Sequence, residues 1–169
     1  DLVDQDGEAV SRLRIGIAAV LARSGRDKEM AYLRELFENE PERREILAVA
    51  LAQQTEGANW PLLVRSLNIL EDGYAVAVMA KLAASSRVSE EPQVFRHLIL
   101  QGLNQNQDVG RRLATTLLAK WSGENPASDA TNEKAKITAW QNWFRATYPD
   151  LPDPVLPEES ALDRYSFDE

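Results

Sequence analysis

With 169 residues, 44% hydrophobic and 27% charged, the chain is long enough to bury a core and too apolar to be disordered. A net charge of −8 sets it against nucleic acid and anionic membranes as partners. Cysteine is absent, which excludes disulfides, zinc ribbons, thiol catalysis and covalent haem attachment within this segment without fixing its compartment.

Read in chain order, the sequence repeats. Leu-Ala occurs at Leu21-Ala22, Leu51-Ala52, Leu82-Ala83 and Leu118-Ala119, spaced by 30, 31 and 36, each pair closing an apolar run. About a dozen residues later an apolar residue is followed by arginine: Leu33-Arg34, Val64-Arg65, Phe95-Arg96 and Phe144-Arg145. The first three arginines are 31 apart. The fourth is late by 18, because Ser122–Asp129 and a longer final helix pair intervene.

Each unit therefore reads as two short helices. First helices are expected over 8–23, 42–54, 72–85 and 107–121, and second helices over 27–38, 59–70, 92–104 and 132–147. Apolar positions recur at helical steps, as in Leu62, Leu63, Leu67 and Leu70, or Val94, Leu98 and Leu103. Gly25, Pro41, Gly57, Pro92 and Gly123 punctuate the connections, and Pro61 and Pro92 fall near helix starts, where a missing N–H costs nothing. Alanines at the ends of the first helices suit close helix approach. No strand-type alternation with Asn-Gly or Asp-Gly turns occurs. The expected fold is all-α: a right-handed α-solenoid (an α-α superhelix) of about four HEAT-like helix pairs, since one pair cannot bury its apolar face but a stack shares one core. The period of about 31 is shorter than HEAT or armadillo lengths, and tetratricopeptide and ankyrin motifs are absent.

The solenoid is expected over 1–147. From Tyr148 the composition changes: Pro149, Pro152, Pro154 and Pro157 lie among Asp150, Asp153, Glu158 and Glu159, so 148–169 reads as an acidic proline-rich linker. It either packs back through Leu151, Val155 and Leu156 or leads to another domain. The opening Asp1-Leu2-Val3 and the acidic close suggest a piece of a longer protein. No signal peptide is visible, and no apolar run approaches the roughly 18 residues that a membrane span requires.

Arg34, Arg65, Arg96 and Arg145 are the most informative polar residues. One reading is a row of cations lining an inner groove for an acidic or phosphorylated partner. The other is a structural ladder, each arginine bonding a polar residue near the turn of the next unit; Asp27, Asn59 and Glu90 lie six or seven residues before the first three arginines. The ladder is preferred. His97 is the single histidine, so no histidine metal cluster or catalytic triad can be assembled. Asp4-Gln5-Asp6-Gly7-Glu8 resembles part of a calcium loop but lacks the full spacing. Trp140, Trp143, Phe144 and Tyr148 share one side of the last helix and are expected to cap the stack, while Trp60 and Trp121 pack at helix junctions. No catalytic, cofactor or metal residues are assigned.

The closing motifs Thr138-Ala139-Trp140-Gln141-Asn142-Trp143-Phe144, Tyr148-Pro149-Asp150-Leu151-Pro152, Leu156-Pro157 and Tyr165-Ser166-Phe167-Asp168-Glu169 resemble a particular family. It is the stretch between HEAT-like repeats and the cytochrome c-type haem domain in large exported planctomycete proteins, described as membrane-bound dehydrogenases or haem-binding proteins. The resemblance covers roughly the last 35 residues and the general repeat character. It implies an upstream β-propeller and a downstream Cys-x-x-Cys-His haem domain. Neither motif is in this chain, so no functional residue carries over. The resemblance implies a non-catalytic scaffold or spacer, with no cofactor of its own and an exported or periplasmic location. Its partners would be other domains of the same chain or another protein. The alternative is a HEAT-like enzyme of base-excision or bilin-lyase type working through a concave groove.

Overall fold

A computed structural model describes residues 16–21, 23 and 26–155. The calcium-like stretch at 4–8, most of the helix expected over 8–23, Gly25 and the motifs beyond Val155 lie outside the described residues. All regular structure among the described residues is helical: residues 16–21, then α1 (Asp27–Asn39), a 3₁₀ turn (Pro41–Arg43), α2 (Arg44–Leu51), α3 (Asn59–Ser66), α4 (Asp72–Ala84), α5 (Pro92–His97), a π-helical segment (Leu98–Gly102), α6 (Asp108–Ser122) and α7 (Glu133–Thr147). The residues fall into two compact units, one up to Ser86 and one from Arg87.

In the first unit α2 packs against α1, α3 and α4. The periodic apolar positions supply its core: Met30, Leu33 and Phe37 from α1, Leu47 and Leu51 from α2, Trp60 and Leu63 from α3, Val78, Met79 and Leu82 from α4. Two ends are satisfied from neighbouring elements. Arg44 donates to the carbonyls of Phe37 (2.9 Å) and Glu38 (3.1 Å) at the end of α1. The Glu45 carboxylate accepts from the Glu71 N–H at 2.9 Å, placing a negative charge where α4 begins.

Helix limits depart from expectation where local hydrogen bonds tighten. Pro41 starts a 3₁₀ turn ahead of α2, and α2 closes at Leu51 because Gln53 and Gln54 bond three residues back, to Ala50 and Leu51. The helix expected to reach residue 70 stops at Ser66: Asn68 and Ile69 bond three residues back, to Arg65 and Ser66, and the Ser66 hydroxyl donates to the Leu63 carbonyl.

In the second unit the π segment packs against α5, α6 and α7. The helix expected over 92–104 changes register at Leu98, and the Leu103 N–H reaches the Leu98 carbonyl, five residues back, at 2.9 Å. Gly102 is the point of closest approach: a Cβ there would stand 2.7 Å from the Ala114 Cβ. α6 ends at Gly123, whose φ of 72° is the left-handed conformation that glycine adopts without strain. Asn132 caps α7, its Oδ1 accepting from the Ala135 N–H at 2.8 Å.

Candidate functional site

Arg34 projects from α1 and donates through Nη1 to Asn59 Oδ1 at 2.6 Å. Asn59 opens α3 and is 1% exposed. Its Nδ2 donates to the carbonyls of Gln54 (2.8 Å) and Leu51 (3.3 Å) and lies 3.6 Å from Met30 Sδ. One buried carboxamide thus joins α1, the end of α2, the following loop and the start of α3. Burial of an amide is favourable only with such partners, and the guanidinium makes one of these bonds charge-assisted. Arg65 stands exposed in the last turn of α3.

Arg96 and Arg145 are brought together in the second unit. Arg96, half-buried on α5, donates through Nε to the Pro152 carbonyl at 3.2 Å and through Nη2 to the Asp153 carbonyl at 3.4 Å. Arg145 on α7 pairs its Nε with Asp153 Oδ2 at 2.8 Å and donates Nη1 to Asn142 Oδ1 at 2.9 Å. Gln141, which the sequence singles out only as part of the closing motif, donates to the Pro154 carbonyl at 2.9 Å. Residues 148–155 therefore lie back on α5 and α7, with Pro154 buried and Leu151 and Val155 half-buried.

The aromatic cluster is an internal feature of this unit. Trp140 and Phe144 are fully buried. Trp143 meets Phe95 at 5.3 Å between ring centroids, Trp140 edge-on at 5.4 Å and Tyr148 edge-on at 6.0 Å. The Tyr148 phenol has its pKa raised above the ordinary 10.0, by burial first and then by the Glu90 carboxylate. Trp60 and Trp121 are each 6% exposed.

A feature that the sequence does not announce is an apolar cleft of about 620 Å³ in the first unit, lined by Ala18, Ala19, Ile46, Val49, Ala50 and Ala77, with polar groups from Arg23, Gln53, Glu71 and Tyr74. Its one signal is the run of alanines, which close helix packing explains equally well. Among the described residues no group of three or more His, Asp or Glu gathers as metal ligands, and no helix is long and apolar enough to cross a membrane. Compared with protein-family models, with curated proteins and with solved structures, the chain matches none.

Proposed function

We propose that this chain is a non-catalytic scaffold or protein-interaction segment, a right-handed α-solenoid of HEAT-like helix pairs. In this reading it holds a place beside a c-type haem domain in a larger exported redox protein. The observation that carries the proposal is the bond from Arg34 to Asn59. It runs from the second helix of one repeat to the start of the second helix of the next, the contact a structural ladder requires. The spacing of helix starts agrees: Asp27, Asn59 and Pro92 begin successive second helices, 32 and 33 residues apart. A stack of this kind uses its polar side chains to join repeats and needs no reactive group of its own. The haem context rests on the closing motifs alone.

The test is spectroscopic. The complete polypeptide that carries this segment is expected to show c-type haem absorption, while the segment by itself stays colourless and takes up no added haem. A complete polypeptide without haem removes the redox context, and stoichiometric haem binding by the segment overturns the spacer role.

A further inference from the structure

Three consecutive carbonyls, those of Pro152, Asp153 and Pro154, are each held by a side-chain donor: Arg96 takes the first two and Gln141 the third. The carboxylate between them is held by Arg145. The donors come from two different helices, α5 and α7, so the segment lies across both. Prolines at 152 and 154 have no N–H and a restricted φ, so this stretch offers carbonyls and little competing backbone pairing. Here Trp143 and Tyr148 supply aromatic surface at the root of the segment. The Arg145–Asp153 pair is open to solvent, with side chains 43% and 53% exposed, while Pro154 beside it is buried, so release of the segment uncovers Pro154.

We propose that the α5–α7 face is a receptor for a proline-flanked acidic segment. The chain's own residues 152–154 fill it in cis, and a partner protein carrying a segment of the same chemistry takes their place when they lift. Recognition needs three accessible carbonyls and one carboxylate, which Arg96, Gln141 and Arg145 read together. Occupation in cis lowers the apparent affinity for a segment in trans by the fraction of molecules whose own strap is seated. This deepens the interaction-domain reading and rests on it, but the test addresses the second unit alone, so its failure leaves the stacked-repeat reading standing.

The probe is a fluorescently labelled peptide of residues 150–155, titrated by anisotropy into the whole chain and its variants, with circular dichroism checking that each keeps its helices. Asp153→Ala in the chain loosens the cis strap without touching the receptor, and the peptide should bind this variant about tenfold more tightly than the parent. Adding Arg96→Ala and Arg145→Ala should remove that gain, and Arg145→Ala alone, at an exposed position, should remove most of it if the double replacement unfolds the unit. Equal binding to all variants, or no binding to Asp153→Ala, overturns the proposal and leaves residues 148–155 as a fixed part of the unit.

Discussion

Arg34 Nη1 lies 2.6 Å from Asn59 Oδ1, across 25 residues of chain, and the acceptor is among the most deeply buried polar groups of the first unit. Without the guanidinium, Asn59 Oδ1 would lose this charge-assisted bond inside the protein. Without the carboxamide, the guanidinium and the Leu51 and Gln54 carbonyls lose a partner at once. Loss of a bond of this type costs about 1–3 kcal/mol, so Arg34→Ala and Asn59→Ala should each lower stability by that much. In urea unfolding the two replacements should also be non-additive, with a coupling of about 0.5–3 kcal/mol. Strict additivity would mean the bond contributes nothing and would count against the proposed ladder.

Much of this is legible in the sequence, for identifiable reasons. Pro92 and Gly123 mark helix limits through their own backbone chemistry, and both limits fall where expected. Leu67 and Leu98, picked out by helical spacing, are each 1% exposed. Asn59 stands out in the sequence because it precedes Arg65 by six residues, and its bond is to Arg34, the arginine of the preceding sequence unit. The π segment is not legible, because its register change accompanies the approach of Gly102 to Ala114, which only the folded unit defines. Nor is the grip on residues 152–154: backbone carbonyls carry no residue-type signature, so Gln141 looks like any surface glutamine.

The approach of Gly102 to α6 gives a second expectation. A methyl group at position 102 would stand 2.7 Å from the Cβ of Ala114, which is itself fully buried, so one of the two segments must shift. Overpacking of this kind costs about 1–3 kcal/mol, so Gly102→Ala should lower the urea midpoint even though alanine is the better helix former. An unchanged or higher midpoint would show that the π segment can relax away from α6.

Tyr148 gives a pH-dependent expectation. Its folded pKa is raised, so the native state favours the neutral phenol; that contribution is fully present below the unfolded value of 10.0 and is lost as pH rises through the folded value. In an alkaline titration followed by tyrosinate absorbance, one of the four tyrosines should ionise above the ordinary tyrosine range. Tyr148→Phe should abolish that late phase, and Glu90→Gln should move it partway back. A Tyr148→Phe titration that differs from the parent only in amplitude would contradict the burial argued for this ring.

The most direct test of the proposed stacked-repeat architecture is small-angle X-ray scattering of the segment in dilute solution. Stacked helix pairs should give a skewed distance distribution with a long tail and a radius of gyration clearly above about 15 Å, the value expected for a globular chain of this length. A symmetric distribution with a radius of gyration near that value would contradict the solenoid, and with it the scaffold built on it.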